Sequence, residues 1–468
     1  MAREEFDLII IGSGPGGYVA GIRAGQLGLK TAVVEKDPKL GGTCLHRGCI
    51  PTKALLHTAA VLDEIREAGG LGIDVGEPKL DIGRAQERKR KVVDSNARGI
   101  EGLFKKNKVT WLQGFGRVTG PHDVEVEGKD GKKSYGAKNI LIATGSVPRD
   151  IPVAPSDGER VLNSDHILEL DKVPGSLAVL GAGAVGTEFA SIYHSFGTKV
   201  TLVEMLPRVL PIEDEEVSAE LEKQLRRRGI KVMAGTKMSG FETTDGGVRL
   251  NLEKDGKLET LDAEKLLVAV GRKPVTENLG LEALGIELER GYIKINEFMQ
   301  TAVPHIYAIG DVVNTPWLAH VASAEGILAA EHIAAIPGQK VRPINYDRVP
   351  SCTYCEPEVA SVGLTEAKAK ERGYDVQTGK FPLTALAKAK ILGKTAGFVK
   401  IVREKKYDEL LGVHIIGAHA TDIIAEACVA LQMEGTDEEL FRTMHAHPTL
   451  SEAVMEAAHG AHGHTIHI

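Results

Sequence analysis

The chain has 468 residues, a length that predicts about three domains. Its formal net charge of −7 gives no basic footprint for nucleic acid and no polybasic membrane anchor. No apolar run approaches the roughly 18 residues that a bilayer span needs. Five cysteines, an odd and low number, argue against a secreted disulfide scaffold and for a reducing compartment, so we expect a cytoplasmic protein.

The first predicted element is a short apolar strand that leads into a glycine-rich turn. Residues 7–17 read DLIIIGSGPGG, in which G-x-G-x-x-G follows the strand, and Glu35 ends the next apolar run. Such a turn lets the backbone approach a pyrophosphate, and the following helix N-terminus offers its N–H groups to the phosphates. An acidic residue about 20 positions on accepts hydrogen bonds from a ribose. The pattern therefore predicts a dinucleotide-binding fold.

A pair of cysteines comes next. Residues 41–53 read GGTCLHRGCIPTK, and a helix with a proline at its start is predicted over 51–68. A helix N-terminus stabilises a thiolate and the charge of Lys53 adds to this effect, so Cys44 and Cys49 suit a redox disulfide. The alternatives are a buried structural pair or half of a zinc site. The zinc site is weak because no further Cys or His pair stands at metal spacing.

Two further elements complete the first part of the chain. Residues 84–107 are highly charged with scattered apolar positions, which predicts a long exposed helix. Residues 140–145 (ILIATG) predict a buried strand that ends in glycine, and a proline-rich stretch follows. We place a domain boundary near residue 150, where that stretch begins.

The strand, the glycine turn and the acid then occur a second time. Residues 176–186 read SLAVLGAGAVG, and the correspondence holds at a constant offset of 169 residues, which matches Glu204 to Glu35. A carboxylate at this place suits the 2′-hydroxyl of NAD and repels the 2′-phosphate of NADP. Arg208 stands four residues on, so NADP is not fully excluded. The sequence predicts a second nucleotide fold that prefers NAD.

The remaining chain contains two more strand patterns, and from about residue 347 its pattern of strands and helices changes. Residues 266–271 (LLVAVG) predict another strand ending in glycine, with a domain boundary near 275, and residues 303–313 predict a strand followed by Gly-Asp. From about residue 347, alternating strand-like segments give way to an apolar helix. This change predicts a separate α+β domain.

The stretch HAHPTLSE, residues 445–452, contains a candidate base. Histidine titrates near neutral pH, where a thiol needs a base, and a carboxylate at Glu452 would hold the ring in one tautomer. The residues alone do not choose between His445 and His447. Pro448 is predicted to open the helix that follows.

Together these motifs resemble the pyridine nucleotide–disulfide oxidoreductases. GGTCLHRGCIPTKALL is similar to the redox-disulfide motif of that family, and IATGS, AIGDV and HPTLSE are similar to its other landmarks, in the same order along essentially the whole chain. The resemblance implies an α/β fold with two Rossmann-like domains, for FAD and NAD, and a C-terminal α+β dimerisation domain. The FAD domain is then expected at 1–150, the NAD domain at 151–275, a central segment completing the FAD domain at 276–346, and the interface domain at 347–468.

The resemblance also implies cofactor contacts. For FAD these are Gly12, Gly14, Gly17, Glu35, Lys53, Gly116, Ala143, Thr144, Gly145, Asp311 and Ala319, with Lys53 near flavin N5 and paired with Glu188. For NAD they are Gly181, Gly183, Gly186, Glu204 and Gly271. Without the family, Glu188 could be a solvated helix residue and Gly271 a simple strand-end turn.

Within the family, the ending GCIPTKALL, Glu204 and HAHPTLSE are similar to the branch that oxidises dihydrolipoyl groups. That branch implies a homodimer in which the base His447 and its partner Glu452 come from the other subunit. It also implies partners that carry dihydrolipoyl groups, either the acyltransferases of 2-oxoacid dehydrogenase complexes or the H-protein of glycine cleavage. Nucleic acid, membrane and metal are not expected.

The implied mechanism is a thiol–disulfide exchange followed by hydride transfer. His447 takes a proton from the dithiol, the thiolate attacks Cys44, and Cys49 leaves as a thiolate beside the flavin. The second substrate thiol closes the lipoyl ring, and electrons pass through FAD to NAD⁺. The alternatives are a related NAD(P)H-dependent disulfide or metal reductase, and a docking subunit whose main role is binding a multienzyme core.

Two groups of residues are not explained by this mechanism. Cys352 and Cys355 stand in PSCTYCEPEVASVG, where two small hydrophobic residues are favoured over a redox role. The histidines of EAAHGAHGHTIHI could bind a metal, but a mobile segment is favoured.

Overall fold

The computed structural model describes residues 3–338 and 340–468. The helices are, in chain order, α1 (Pro15–Gln26), α2 (Gly42–Arg47), α3 (Cys49–Glu67), α4 (Ile82–Lys106), α5 (Ser164–Ile167), α6 (Ala184–Ser195), α7 (Glu215–Arg228), α8 (Ala319–Ala334), α9 (Glu366–Glu371), α10 (Ala387–Ile391), α11 (Ala420–Gln432), α12 (Asp437–Arg442) and α13 (Glu452–Ala461). Short 3-10 turns lie at Ala68–Leu71, Glu282–Leu284, Gly310–Val312, Tyr346–Arg348 and Leu383–Ala385.

The strands are, in chain order, β1 (Glu4–Ile11), β2 (Thr31–Glu35), β3 (Thr110–Gln113), β4 (Phe115–Gly120), β5 (Asp123–Gly128), β6 (Gly131–Ile142), β7 (Ser146–Pro148), β8 (Val161–Leu162), β9 (Ser176–Leu180), β10 (Lys199–Glu204), β11 (Lys231–Ala234), β12 (Lys237–Thr244), β13 (Gly247–Lys254), β14 (Lys257–Ala263), β15 (Lys265–Val268), β16 (Arg272–Pro274), β17 (Leu288–Glu289), β18 (Tyr292–Ile293), β19 (Ile306–Ala308), β20 (Ser351–Thr353), β21 (Glu358–Gly363), β22 (Val376–Pro382), β23 (Phe398–Glu404) and β24 (Leu410–Gly417).

The chain divides into two compact units. The first contains residues up to 54, 86–149 and 272–346, and the second contains 55–85, 150–271 and 347–468. The division therefore passes through α3 and α4. Among the described residues, no helix combines the length and the apolar character that a bilayer span requires.

A parallel sheet forms the centre of the first unit. Its strand order is β3-β2-β1-β6-β19, with Ile10 of β1 paired to Val33 on one side and to Leu141 on the other. The first half of the long strand β6 pairs instead with β5, and β4 continues this antiparallel extension. The central strands are buried on both faces, which explains their continuous apolar sequence.

The second unit repeats this topology and adds a further sheet. Strands β11-β10-β9-β15-β8 form a parallel sheet, and β12-β13-β14 form an antiparallel one, like β4-β5-β6 of the first unit. The remaining strands form the antiparallel sheet β20-β21-β24-β23-β22, which is covered by α11 and α13. The repeat in the sequence therefore corresponds to a repeated fold, one copy in each unit. The predicted α/β class, with two Rossmann-like folds and a C-terminal α+β domain, is confirmed.

Helix starts differ from those predicted at two places. The helix predicted from residue 51 begins at Cys49, because Pro51 lies in its first turn, where a backbone N–H has no helical partner to lose. Pro448 does not open a helix: α13 begins at Glu452, after a turn in which Thr449 Oγ1 donates to Ala446 O at 2.7 Å. The helix predicted over 84–107 is α4, and not all of it is exposed, because Gln86 and Lys89 are buried.

Helices α1 and α8 approach each other through glycines. A Cβ on Gly326 would lie 2.5 Å from Gly16 O, and a Cβ on Gly16 would lie 2.9 Å from Ala322 O. Real Cβ atoms do not come so close to a backbone oxygen, so these two glycines allow the first turn of α1 to lie against the first half of α8.

We expect Gly326→Ala to destabilise the protein by about 1–3 kcal/mol, because the added methyl group forces α8 away from α1. The matched control is Gly99→Ala on α4, where a Cβ would meet no described atom within 4 Å. That change should stabilise by about 0.5–1 kcal/mol through the better helix propensity of alanine. Differential scanning calorimetry measures both, and equal midpoints for the two variants would contradict the close contact.

Candidate active site

The first glycine turn is shaped by backbone contacts. Gly12 has a φ of +106°, and a Cβ there would lie 2.3 Å from Ala143 O. A Cβ on Gly17 would lie 1.9 Å from Gly12 O. Gly14 caps α1, and a Cβ there would meet no described atom within 4 Å. The N-terminus of α1 thus opens onto free space, which fits the pyrophosphate of a dinucleotide.

Glu35 is buried and is tied to this turn. Its Oε2 accepts hydrogen bonds from Ser13 N at 3.0 Å and Ser13 Oγ at 2.6 Å, and its Oε1 accepts from Asp37 N at 2.9 Å. The carboxylate oxygens retain further lone pairs for a ribose hydroxyl. Ser13 was not predicted, although it is one of the three variable residues inside the glycine motif.

The second glycine turn has the same geometry. Gly181 has a φ of +101°, and a Cβ on Gly186 would lie 1.9 Å from Gly181 O. Gly183 caps α6 and Gly271 has a φ of +108°; at both, a Cβ would meet no described atom within 4 Å. This cradle also fits a pyrophosphate at a helix N-terminus.

Glu204 repeats the contacts of Glu35. Its Oε2 accepts from Ala182 N at 2.6 Å and its Oε1 accepts from Leu206 N at 2.8 Å. Arg208, which left NADP open, donates to Glu215 Oε1 at 2.7 Å and to Pro211 O at 3.1 Å. Because that guanidinium is already engaged, the site favours the 2′-hydroxyl of NAD over a 2′-phosphate.

Asp311 belongs to a hydrogen-bonded chain that was not predicted. Ser146 Oγ donates to Asp311 Oδ2, and Arg272 Nε donates to Ser146 Oγ at 2.7 Å. Burial raises the pKa of the Asp311 carboxyl, and the Ser146 hydrogen bond and the Arg272 charge oppose that rise. Ser146 and Arg272 each directly follow a strand-end glycine, Gly145 and Gly271, which is the signal that could have found them.

Glu325 supports the turn that carries Asp311. It is fully buried on α8, where its Oε2 accepts from Gly310 N at 2.7 Å and its Oε1 accepts from Tyr346 Oη at 2.9 Å. Ala319 is the first residue of the same helix. No sequence motif singled out Glu325, since its role depends on a turn that lies 15 residues before it.

The other predicted FAD contacts are three residues that follow β6 and one residue within β4. Ala143 and Thr144 follow β6, and Thr144 Oγ1 donates to Val275 O at 2.6 Å. Gly145 has a φ of +70° and open space beside it. Gly116 lies buried in β4, where a Cβ would come within 2.9 Å of the Val34 side chain.

Cys44 and Cys49 are brought together as a thiol pair. Cys44 lies in α2 and Cys49 begins α3. A hydrogen bond to the Cys49 side chain raises the pKa of the Cys44 thiol, burial adds to the rise, and the charge of Lys53 opposes it. The negative charge of the reduced pair is therefore expected on Cys49, at the helix N-terminus, while Cys44 keeps its proton.

Lys53 and Glu188 lie on different helices. Lys53 follows Cys49 by one turn of α3. Glu188 is buried on α6, and its Oε1 accepts from Tyr354 N at 3.0 Å. Burial argues against a solvated helix residue, and the pairing of Lys53 with Glu188 stays a prediction.

The two candidate bases differ in their surroundings. His447 Nδ1 lies 2.8 Å from Glu452 Oε1, and Thr449 N donates to Glu452 Oε2 at 2.8 Å. His447 Nδ1–H therefore donates to the carboxylate, which leaves Nε2 with a lone pair, on a side chain that is 73% exposed. The pKa of Glu452 is raised by burial, but the His447 and Thr449 hydrogen bonds lower it below its usual value, so the carboxylate remains ionised.

His445 has an acceptor at each ring nitrogen. Nδ1 lies 2.8 Å from Thr443 O and Nε2 lies 3.2 Å from Glu426 Oε2. The Glu426 hydrogen bond raises the pKa of His445, which favours the doubly protonated ring. An imidazolium that donates from both nitrogens cannot accept a proton, so this geometry favours His447 as the base.

Cys352 and Cys355 face different cores. Cys355 is buried in the core around α6, and its S–H donates to Pro357 O at 3.1 Å. Burial raises the pKa of its thiol well above the usual range. Cys352 packs instead against the core of the C-terminal sheet. This arrangement favours two small packed side chains over a redox pair.

The histidine-rich segment, residues 459–467, was expected to be mobile, but two of its histidines contact carboxylates. His462 Nε2 lies 3.0 Å from Asp437 Oδ2, and His467 Nδ1 lies 2.6 Å from Glu456 Oε1. Asp408, Asp437 and His462 are close enough to hold a metal ion. Arg403 already pairs with both of these aspartates, so a positive charge is in place there.

We expect Lys53→Met to raise the pKa of the reduced cysteine pair, because it removes the positive charge that favours a thiolate. The rate of iodoacetamide alkylation at pH 7 should fall roughly three- to tenfold. Peptide mass spectrometry of the reduced protein measures the pH dependence at Cys44 and Cys49. Lys53→Arg keeps the charge and should keep the wild-type profile, whereas a wild-type profile in Lys53→Met would contradict this role.

Comparisons with known proteins agree with this geometry. Residues 6–326 match the family described as pyridine nucleotide-disulphide oxidoreductase, and residues 349–458 match its dimerisation domain. The chain is 47% identical to the dihydrolipoyl dehydrogenase of Bacillus subtilis and 46% identical to that of Thermus scotoductus, with 99% of each chain covered in both comparisons. The crystal structure of LpdA from Mycobacterium tuberculosis is similar with a TM-score of 0.89 and 30% identity, over 97% of this chain and 99% of that one.

These matches cover both nucleotide folds and the C-terminal sheet. They confirm the predicted family resemblance and an oxidoreductase with the cofactors FAD and NAD. The two open glycine cradles and the thiol pair are the features of this chain that fit those cofactors. The chain belongs to the pyridine nucleotide–disulphide oxidoreductases.

Proposed function

We propose that this chain oxidises dihydrolipoyl groups to lipoyl groups and reduces NAD⁺ to NADH. The observation that carries the proposal is the hydrogen-bonded pair Cys44–Cys49 at the start of α3, with the charge of Lys53 acting on it. The names of the relatives at 46–47% identity state the same dehydrogenation. Glu204 and the engaged Arg208 support NAD⁺ as the acceptor.

The first chemical task is to deprotonate a substrate thiol. Nε2 of His447 is suited to it, because Glu452 holds the Nδ1–H and stabilises the imidazolium that forms. His447 is exposed in the chain, so a second copy can use it. We therefore propose a homodimer in which His447 and Glu452 act on the cysteine pair of the other copy, and the match to a dimerisation domain supports this arrangement.

The second task is thiol–disulfide exchange. The substrate thiolate attacks Cys44 Sγ of the oxidised pair, a mixed disulfide forms, and Cys49 leaves as a thiolate. Cys49 is the better leaving group, because its negative charge lies at a helix N-terminus and accepts the Cys44 hydrogen bond in the reduced pair. The second substrate thiolate then attacks the substrate sulfur of the mixed disulfide, which closes the lipoyl ring and releases Cys44.

The reduced pair must then be reoxidised. Bound FAD would supply the redox chemistry that links the electron pair of the two thiols to hydride transfer onto NAD⁺. The residues proposed to hold FAD are Gly12, Gly14, Gly17, Glu35, Lys53, Gly116, Ala143, Thr144, Gly145, Asp311 and Ala319. Those proposed to hold NAD⁺ are Gly181, Gly183, Gly186, Glu204 and Gly271, with Glu188 as the partner of Lys53.

The cellular setting is part of the same proposal. The substrate thiols would be carried by lipoyl domains of acyltransferases or by an H-protein, and the working location would be the cytoplasm. The five cysteines are consistent with a reducing compartment, and the formal net charge of −7 is consistent with partners other than nucleic acid.

The direct test is an anaerobic titration of the FAD-loaded protein with dihydrolipoamide, followed by NAD⁺, with NADH formation measured by absorbance. We expect NADH with NAD⁺ and much less product with NADP⁺. Parallel assays with NADH and glutathione disulfide or Hg(II) should be slow. A protein that reduces either of these faster than it oxidises dihydrolipoamide would instead be a disulfide or metal reductase.

We expect His447→Gln to lower kcat/KM for dihydrolipoamide by about 10²- to 10⁴-fold, the usual contribution of a positioned base. Reduction of ferricyanide by NADH needs no thiol deprotonation and should stay close to the wild-type rate. His445→Gln is the matched control, because both ring nitrogens of His445 are engaged elsewhere, and it should lose far less activity. Equal losses in the two variants would remove the basis for choosing His447.

A further inference from the structure

A second contact between histidine and a carboxylate lies on α13, one turn after Glu452. Glu456 stands four residues on, so the two carboxylates project from the same side of the helix. Glu456 is only 2% exposed, its Oε1 lies 2.6 Å from His467 Nδ1, and its Oε2 accepts from Ile466 N at 3.1 Å. Both contacts come from the segment that follows the helix.

That segment turns back along α13. His464 N donates to His459 O at 3.1 Å and Gly463 N donates to Gly460 O at 3.0 Å, which ends the helix and reverses the chain. His462 is held by Asp437. The reversal brings residues 466 and 467 alongside Glu456, which lies in the middle of the helix.

Helix α13 is also held by the sheet. A Cβ on Gly379 of β22 would lie 2.1 Å from Ala457 O and 2.2 Å from Ala461 N, so the helix lies directly on the strand. A buried carboxylate is unfavourable unless hydrogen bonds compensate for its lost hydration. Ile466 N and His467 supply such hydrogen bonds, and they fasten the segment after the helix to α13.

Glu452 interacts electrostatically with His467. The charge of His467 adds to the His447 and Thr449 hydrogen bonds that lower the pKa of Glu452 against the effect of its burial. The orientation of Glu452 determines where Nδ1 of His447 is held, because that contact is a single hydrogen bond of 2.8 Å.

We propose that Glu456 is a positioning residue for the His447–Glu452 pair. It acts by holding Ile466 N and His467 against α13 through its two carboxylate oxygens, a pair of contacts that we call the clasp. The effect on the reaction rests on the proposed function, because the placement of His447 matters to turnover only where His447 is the base. The effect on the structure does not depend on that function.

The test compares four variants of the FAD-loaded, full-length protein. Glu456→Gln replaces one of the two accepting oxygens by an NH2 group, so it can keep only one of the contacts with Ile466 N and His467, and His467→Ala removes the imidazole. His467→Asn keeps an N–H donor near the place of Nδ1, and His464→Ala alters an exposed neighbour in the same segment. Hydrogen–deuterium exchange of the Thr449 amide, which donates to Glu452, reports the placement of Glu452 without any substrate.

We expect faster exchange of Thr449 in Glu456→Gln and His467→Ala, and wild-type exchange in His467→Asn and His464→Ala. In the same two impaired variants kcat for dihydrolipoamide should fall roughly tenfold with KM little changed, a part of the 10²- to 10⁴-fold contribution of a base. The rate of NADH-dependent ferricyanide reduction should not change.

Wild-type exchange and wild-type kcat in both Glu456→Gln and His467→Ala would overturn the proposal. Faster exchange that extends equally to α11 would also overturn it, because Glu456 would then stabilise the whole C-terminal domain. If the wild-type protein fails to oxidise dihydrolipoamide, the proposed function is wrong, and the exchange of Thr449 still decides whether Glu456 positions Glu452.

Discussion

Both nucleotide turns depend on the absence of a side chain where each turn meets its own helix. Gly17 and Gly186 lie so near the carbonyl oxygens of Gly12 and Gly181 that a Cβ would be 1.9 Å away. This approach aims the first N–H groups of α1 and α6 into open space beyond the parallel strands. The buried acids Glu35 and Glu204 then close each turn from the far strand. Both cofactor sites depend on this arrangement.

The proposed thiol–disulfide exchange depends on a difference between the sulfurs of Cys44 and Cys49. Cys49 is the first residue of α3 and Cys44 lies in a separate short helix, and the hydrogen bond between their side chains raises the pKa of the Cys44 thiol. In the proposed mechanism Cys49 is the sulfur that leaves and Cys44 is the sulfur that is attacked, and the two positions differ in this way before any substrate arrives. A symmetric pair would not choose between its two sulfurs, and exchange would proceed in either direction.

Much of the fold and of the candidate site could be predicted from local sequence motifs. Glycines at fixed spacing, the strand-end acids and the cysteine pair were all predictable, because their roles depend on residues near them in sequence. Ser146, Arg272 and Glu325 were not predicted, since each acts on a turn that is distant along the chain. The docking of His467 on Glu456 was missed for the same reason. The start of α3 lies two residues before the predicted one, because proline is tolerated anywhere in the first turn of a helix. The start of α13 lies four residues after Pro448, because that proline belongs to a turn before the helix.

The engaged Arg208 has a consequence for redesigning the acceptor. Arg208 lies near the acid that would meet the ribose, yet it is bound by Glu215 and by the carbonyl of Pro211. Neutralising Glu204 alone would therefore remove repulsion without supplying attraction for an added phosphate. A switch of coenzyme would need a second change, at Glu215, that frees the guanidinium to swing toward the ribose. Arg208 is thus a possible phosphate ligand that the Glu215 carboxylate and the Pro211 carbonyl now hold.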